Sequence, residues 1–103
     1  MLIVTTNTIS NKNIEEIGLV EGSVTQLMNF SKGFGALNAF GSGGEISSYT
    51  EFVMETCQIA KGRLIQQAIK EQADAVVGYH CEISESSNQI INVYVYGTAV
   101  KYV

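Results

Sequence analysis

Residues 73–84 read ADAVVGYHCEIS, and residues 89–103 read QIINVYVYGTAVKYV. Both stretches are rich in β-branched and aromatic residues, and the polar residues ESSN at 85–88 lie between them, which predicts two β-strands joined as a hairpin. Successive side chains of a strand point to opposite faces. We expect this hairpin to decide the fold, because one of its faces is apolar and the other carries polar and aromatic side chains.

The predicted register of the hairpin assigns each side chain to a face. A turn at ESSN pairs Ser84 with Ile90, Glu82 with Asn92, His80 with Tyr94, Gly78 with Tyr96 and Val76 with Thr98. The apolar face then contains Ala75, Val77, Tyr79, Cys81 and Ile83 together with Ile91, Val93, Val95, Gly97 and Ala99. The opposite face contains His80, Glu82, Asn92, Tyr94, Tyr96, Thr98, Val100 and Tyr102.

A long helix over residues 48–72 is predicted to cover the apolar face. Ser48 and Glu51 have the S-x-x-E spacing of a capping box, in which the two side chains accept hydrogen bonds from backbone amides at the helix start. Apolar residues then recur every three or four positions, which is the period of one helix face. They are Val53, Cys57, Ala60, Leu64 and Ala68, with Phe52, Ile65 and Ile69 widening the stripe.

The N-terminal half predicts further, shorter elements. Residues 2–6 and 14–24 have the composition of strands. Residues 26–40 have helical apolar spacing interrupted by glycines, which indicates a short helix, and a glycine-rich connection follows at 41–44. Residues 1–103 are therefore predicted to form one α+β domain, in which a small antiparallel sheet packs on one long helix, with extra short strands and a short helix.

Composition limits the classes of function. Of the 103 residues, 46% are hydrophobic and 16% are charged, which favours burial between subunits. The net charge of −4 provides no basic surface for nucleic acid or for an anionic membrane. No apolar run approaches the roughly 20 residues that span a bilayer. There are only two cysteines and no signal-peptide pattern, so we expect a reduced, cytoplasmic protein without nucleic-acid or membrane partners.

Three residue types that bind metals stand side by side at His80, Cys81 and Glu82. Alternation turns Cys81 towards the helix and the other two away from it, so one ion cannot bind all three. His80 and Glu82 have two interpretations. They bind a metal ion with further ligands from another subunit, or His80 packs on Tyr94 while Glu82 forms hydrogen bonds nearby. Cys57 and Cys81 are interpreted as inert core thiols, a role that free cysteine favours.

Known catalytic patterns are missing from the sequence. The single histidine has no serine or cysteine at a spacing that suggests a nucleophile and its base. The glycines at 33–35 and 41–44 match neither of the common phosphate-binding motifs. We therefore predict that the protein is not an enzyme.

Tyr94, Tyr96 and Tyr102 fall on the sheet face away from the predicted helix. Tyrosine suits interfaces because its ring buries apolar area while its hydroxyl keeps a hydrogen-bond partner. The alternative is that the N-terminal strands or residues 26–40 cover this face within one chain. We favour contact between subunits and predict a stable homo-oligomer with these tyrosines in its interface.

Several stretches resemble the YbjQ-like family, which carries a heavy-metal-binding label. ADAVVG at 73–78 and GTAV at 97–100 look like its two hallmark motifs, and GLVEG at 18–22 resembles its first strand. Further matches follow in the same order along the chain, at Asn29, Phe34, Ala36, Gly43, Gly44 and Tyr49. The resemblance covers nearly the whole chain.

The resemblance implies a dodecin-like subunit that assembles as a pentameric ring, in a family without an established catalytic residue. The sequence departs from that family at polar positions. Glu45 stands where relatives have Arg, and YHCE replaces an acidic pattern after ADAVVG. Gln72 stands where relatives often have Gly at the helix end, so a left-handed cap there would be strained.

Small residues in the two hallmark motifs are interpreted as packing positions. We expect Gly78 to make room opposite Tyr96, and Gly97 with Ala99 to let the long helix approach the sheet. The favoured function is a non-enzymatic, homo-oligomeric cytoplasmic protein of unknown ligand, with a pentamer implied by the resemblance. Two alternatives remain open. One is a module that binds a divalent or heavy-metal ion through His80 and Glu82 at a subunit interface, and the other is a small-molecule carrier that uses clefts between subunits.

Overall fold

A computed structural model describes residues 1–27, 47–86 and 89–103, apart from the side chains of residues 47 and 48. Its elements are β1 (Leu2–Ile3), β2 (Ile14–Leu27), α1 (Ser47–Lys70), β3 (Ala75–Glu85) and β4 (Ile90–Tyr102). The first two residues of the helix predicted over 26–40 belong to β2. The remainder of that helix, the connection at 41–44 and the Ser48 side chain of the capping box lie outside the described residues.

The four described strands form one sheet in the order β1-β3-β4-β2. β4 pairs antiparallel with both β2 and β3, whereas β1 pairs parallel with β3. The sheet is therefore mixed, and the prediction of an antiparallel sheet is wrong at β1. The N-terminal segment follows β3 beyond β1, because the Val4 amide donates to the Val76 carbonyl at 2.9 Å and the amides of Gly78 and Tyr79 donate to the carbonyls of Thr6 and Val4 at 2.8 and 3.0 Å.

A β-bulge in β3 interrupts the alternation of side chains. Two residues of β3, Gly78 and Tyr79, stand opposite the single residue Gly97 of β4. Gly78 has a φ of 62°, the left-handed conformation that glycine adopts most easily and that opens one common type of bulge. The pairs that flank the bulge are Val77 with Thr98 and His80 with Tyr96.

The hairpin register differs from the predicted one by two positions between the bulge and the turn. The observed pairs are His80 with Tyr96, Glu82 with Tyr94 and Ser84 with Asn92. The strands extend closer to the turn than the ESSN interpretation allowed, because Glu85 still pairs with Ile91 and the Ser86 amide donates to the Ile90 carbonyl at 2.9 Å. The predicted partners of His80 and Glu82 are therefore wrong, although the face that both residues occupy is as predicted.

Ala75 and Val77 lie on the face away from α1, contrary to prediction. They pack with Val100 in a small second cluster, against which Val4, Ile9 and Ile14 are partly buried. On the helix side, the buried residue before the bulge is Val76, opposite Ala99. The prediction failed because it carried strict alternation through the bulge, where the extra residue reverses it.

The main core lies between α1 and the sheet, as the helical stripe predicted. Its buried residues are Val20, Val24, Ala60, Leu64, Ala68, Val76, Ile91, Val93, Val95 and Ala99. Ile69 is the exception in the stripe: it lies on the flank of the last helical turn and is 56% exposed. Within the described residues, no helix has both the length and the apolar character to cross a bilayer.

α1 crosses the sheet directly over Gly22 of β2. A Cβ atom at Gly22 would lie 2.8 Å from the Leu64 amide nitrogen and would also collide with the Ala60 carbonyl. Glycine is required here because the backbones of helix and strand approach too closely for any side chain. The close approach that the sequence assigned to Gly97 and Ala99 is therefore found at Gly22.

The glycines of the hallmark motifs serve the bulge. A Cβ atom at Gly97 would lie 2.6 Å from Val76 Cγ1 and 3.1 Å from the Val77 carbonyl oxygen, so Gly97 makes room for β3 and not for α1. Gly78 is needed for its positive φ, and not to accommodate Tyr96 as expected. Ala99 is fully buried in the main core.

α1 ends in a left-handed residue at the position where the sequence made such a cap a strained one. Gln72 has a φ of 61°. The Ala73 amide donates to the Ala68 carbonyl at 3.0 Å, and the Gln72 amide donates to the Ile69 carbonyl at 2.9 Å, which is the Schellman pattern of helix termination. A non-glycine residue therefore occupies a position where glycine has no steric cost.

Replacing Gly22 with alanine should destabilise the fold by about 1–3 kcal/mol, because the added methyl group forces α1 away from β2. Gly62→Ala is the matched control. Gly62 is exposed in α1 with open space around it, so alanine should add about 0.8–1.0 kcal/mol of stability through helix propensity. Urea unfolding monitored by circular dichroism measures both changes, and an unchanged midpoint for Gly22→Ala would contradict the close contact.

Candidate functional site

Three aromatic rings form a row across the sheet face that points away from α1. The His80 and Tyr96 rings stack with centroids 5.4 Å apart and planes inclined by 7°. Tyr96 in turn stacks on Tyr94, with centroids 5.4 Å apart and an inclination of 29°. His80 is exposed and both tyrosines are half-buried. We call these three residues, with Glu21 and Glu82 beside them, the tyrosine face.

Hydrogen bonds fix the orientation of the outer groups of the tyrosine face. The Tyr94 hydroxyl donates to Glu21 Oε1 at 2.8 Å. His80 Nδ1 lies 3.0 Å from the Gly78 carbonyl oxygen. A carbonyl oxygen only accepts, so this contact favours the tautomer with the proton on Nδ1 and leaves the Nε2 lone pair free to bind another group. The register brings Glu82 beside Tyr94 on the same face.

The carboxylates of the tyrosine face act on the Tyr94 phenol. The hydrogen bond to Glu21 raises the pKa of Tyr94 above its ordinary value, with smaller contributions from burial and from the charge of Glu82. A negative phenolate beside these carboxylates is disfavoured. The Tyr94 hydroxyl therefore remains a protonated hydrogen-bond donor to a higher pH than an ordinary tyrosine.

Tyr102 does not belong to the tyrosine face, although the sequence grouped it with Tyr94 and Tyr96. Val100 lies between them on the same strand face and is fully buried in the second cluster, so the N-terminal segment interrupts the row. Tyr102 instead lies at the end of β4, where Lys12 Nζ is 4.8 Å from its ring centroid.

The tyrosine face holds two of the predicted metal ligands but no complete metal site. His80 and Glu82 are exposed on one side of β3, as predicted. No three histidine, cysteine, aspartate or glutamate side chains converge anywhere in residues 1–27, 47–86 and 89–103. An ion bound by His80 and Glu82 would therefore need further ligands from outside these residues.

A groove of about 310 Å³ borders Tyr94. Its lining comes from three strands and comprises Ser23, Val24, Thr25, Glu82, Ile83, Ser84, Asn92, Val93 and Tyr94. The Thr25 hydroxyl donates to Asn92 Oδ1 at 2.6 Å and so links β2 to β4 across the groove. Glu21, Ser23 and Thr25 were not predicted as site residues, although their alternation with Val20, Gly22 and Val24 indicates that they share one face of a strand.

The two cysteines meet on the opposite, helix-covered side of the sheet. Cys57 Sγ of α1 and Cys81 Sγ of β3 are 3.9 Å apart, and both thiols are free. Cys81 faces the helix, as predicted. The interpretation of both residues as inert core thiols is wrong for the position of Cys81, which is exposed, whereas Cys57 is half-buried and packs against the main core. Burial raises the pKa of the Cys81 thiol, and the neighbouring Cys57 adds to this shift.

Within the part of the chain that the structure describes, a mixed four-stranded sheet with one helix on one face and a tyrosine-rich opposite face defines a small two-layer α+β protein. Residues 1–103 match the model of the YbjQ family, whose description is "Putative heavy-metal-binding". The chain belongs to this family, and the resemblance seen in its ADAVVG and GTAV motifs is confirmed.

Relatives of the chain carry the name UPF0145 protein. One from Latilactobacillus sakei is 42% identical over 103 residues, covering 100% of this chain and 95% of the relative. One from Clostridium perfringens is 39% identical, covering 99% and 97%. The crystal structure of a Pediococcus pentosaceus protein of unknown function from the DUF74 family is also similar, with a TM-score of 0.70 and 20% identity over 100% of this chain and 98% of that one. That likeness supports the fold.

Replacing Glu21 with glutamine should lower the pKa of Tyr94 towards its ordinary value of 10.0, because the phenol loses its charged acceptor. The phenolate should then form at lower pH than in the unaltered protein. An NMR pH titration of the tyrosine ring signals, with Tyr94→Phe to assign the Tyr94 signal, measures the shift. Glu85→Gln removes one charge from the other face of β3 and should leave Tyr94 unchanged. A Tyr94 pKa in Glu21→Gln that equals the pKa in the unaltered protein would contradict the hydrogen bond.

Proposed function

We propose that the protein is a non-enzymatic homo-oligomer that assembles through its tyrosine face. The stacked row of His80, Tyr96 and Tyr94 carries this proposal. An aromatic row on a sheet face opposite the helix is typical of surfaces that bury area against a partner, since tyrosine contributes apolar area and a hydrogen-bonding hydroxyl.

Exposed leucines extend the apolar part of this surface along β2. Leu19 is 62% exposed and Leu27 is 66% exposed. They pair with Thr98 and Ile90 of β4, so both side chains point to the same side of the sheet as Tyr94. Exposed leucines on the same face as an aromatic row favour an interaction surface. A second copy of the chain is the partner that we propose.

The assembly that we propose is a dodecin-like ring of five chains in the cytoplasm. The ring and its number rest on the family resemblance, and the free cysteines and acidic net charge support a cytoplasmic protein without nucleic-acid or membrane partners. The absence of a catalytic role is supported by the tyrosine face itself. The His80 ring stacks on Tyr96, and its Nδ1 atom contacts a backbone carbonyl rather than the hydroxyl or thiol group of a nucleophile.

The oligomer should scatter light with a mass of five times 11.2 kDa at micromolar concentration. The double variant Tyr94→Glu/Tyr96→Glu should shift the mass towards the monomer, because it places like charges beside Glu21 and Glu82 on facing copies. Gln66→Glu, on the exposed side of α1, adds the same type of charge as a control and should leave the mass unchanged.

Circular dichroism of the double variant separates loss of assembly from loss of folding. A monomeric mass for the unaltered protein would refute the proposed assembly. A ring of unchanged mass in a folded Tyr94→Glu/Tyr96→Glu protein would place the subunit contact elsewhere on the chain.

A metal-binding function is the second candidate, and the orientation of His80 favours it. The contact of Nδ1 with the Gly78 carbonyl resembles the bonds that orient metal-binding histidines, because it directs a free Nε2 away from the strand. Glu82 provides a carboxylate on the same face. We propose that a divalent ion binds these two groups at a subunit contact, with its remaining ligands from a neighbouring copy, since zinc sites use three or four protein ligands.

Calorimetric titration with zinc, carried out in the Cys57→Ser/Cys81→Ser background so that no thiol binds the ion, tests the His80 site. His80→Ala should weaken zinc binding by at least about tenfold and Glu82→Gln should weaken it less, because histidine binds zinc more strongly than an exposed carboxylate does. Glu85→Gln serves as the control on the other face of the same strand and should bind like the unaltered protein. Equal heats for His80→Ala and the unaltered protein would remove His80 from the site.

A further inference from the structure

The cysteine pair is a second cluster of metal-binding side chains, separate from the tyrosine face. Cys57 and Cys81 come from two different elements, α1 and β3, yet their sulfur atoms are 3.9 Å apart. The register places Cys81 opposite Val95, on the helix side of the sheet, whereas His80 and Glu82 point to the other side. The two clusters therefore cannot share one ion, and neither the oligomer nor the His80 site uses the thiols.

The separation of the sulfur atoms suits a bound ion. Thiolates bind zinc-like ions at about 2.3 Å, so sulfurs 3.9 Å apart subtend roughly 116° at the ion. That angle lies between the tetrahedral and the trigonal values. The ion can therefore enter between the two sulfur atoms without a shift of α1 relative to β3. A disulfide, in contrast, needs the sulfur atoms at about 2.05 Å, so the observed separation is that of two thiols in contact.

The surroundings of the pair give an ion access from solvent. Cys81 is exposed and Cys57 is half-buried, because α1 packs mainly over β2 and β4 and covers β3 incompletely. An ion held there keeps coordination positions that water or a third group can fill, whereas a fully buried structural site closes all of them. The exposure of Cys81 is the reason why its interpretation as a core thiol is wrong.

We propose that Cys57 and Cys81 form a two-thiolate binding site for a thiophilic metal ion of the Zn²⁺, Cd²⁺ and Cu⁺ class. Thiolate ligands select such ions over Mg²⁺ and Ca²⁺, which prefer oxygen. Each thiol releases its proton to solvent as it binds, and no electron is transferred. This site is independent of the proposed oligomer and of the His80 site. Neither of its two residues belongs to the family motifs ADAVVG, GTAV and GLVEG.

Cadmium is the probe, because bound thiolates give an ultraviolet charge-transfer band that carboxylates and imidazoles lack. The full-length protein, kept reduced with a phosphine, is titrated with Cd²⁺ alone and then with Cd²⁺ against a competing chelator. We expect the charge-transfer band to saturate at one ion per chain. Cys57→Ser and Cys81→Ser should each lower the affinity for Cd²⁺ by at least about 100-fold, because each removes a direct ligand. Loss of a group that only supports a ligand already costs about 10- to 100-fold.

Glu85→Gln, which removes a carboxylate from the helix side of the same strand, is the matched control and should leave the titration of the charge-transfer band unchanged. Unchanged affinity in either serine variant would overturn the proposal, and so would a titration in which no charge-transfer band develops. Circular dichroism confirms that the serine variants remain folded. The outcome is independent of assembly, because a monomer that binds one Cd²⁺ through both thiols would refute the oligomer and still support this site.

Discussion

The bulge at Gly78 and Tyr79 determines what each face of the sheet carries. If alternation continued from the buried Val76 without it, His80 would point into the core beneath α1, where a polar ring without a partner is costly. The bulge reverses the alternation, so that Cys81 faces α1 and His80 faces away. Its amides are bound by carbonyls of the N-terminal segment, so β1 and the residues after it hold the arrangement of both candidate sites.

Two chemically different surfaces follow from this arrangement. The face away from α1 presents stacked rings with carboxylates beside them, a combination that suits burial against another chain and oxygen or nitrogen ligation at its edge. The helix side presents a pair of sulfur ligands at the uncovered margin of β3. The position of α1 accounts for the exposure of the thiol on the helix side. The backbone contact over Gly22 holds the helix above β2 and β4, so Cys81 on β3 stays exposed.

Periodicity was sufficient to predict the elements that depend on local sequence. The helix with its Ala60–Leu64–Ala68 row and the C-terminal hairpin are present as expected, and so is the separation of His80 from Cys81. The register and the faces of residues 75–77 were not predictable, because glycine adopts positive and negative φ with similar ease and only the tertiary contacts decide between them. The parallel pairing of β1 and the exposure of the thiols likewise depend on long-range packing, which no local pattern encodes.

The central claim is that the bulge places His80 against Tyr96 and away from the helix. Nuclear Overhauser contacts from the His80 ring protons test it most directly in the folded protein in solution. The structure predicts strong contacts to the Tyr96 ring, whose centroid is 5.4 Å away, and none to the side chain of Cys57. Contacts from the His80 ring to Cys57 or to Leu64, without contacts to Tyr96, would contradict the bulge and with it the assignment of both faces.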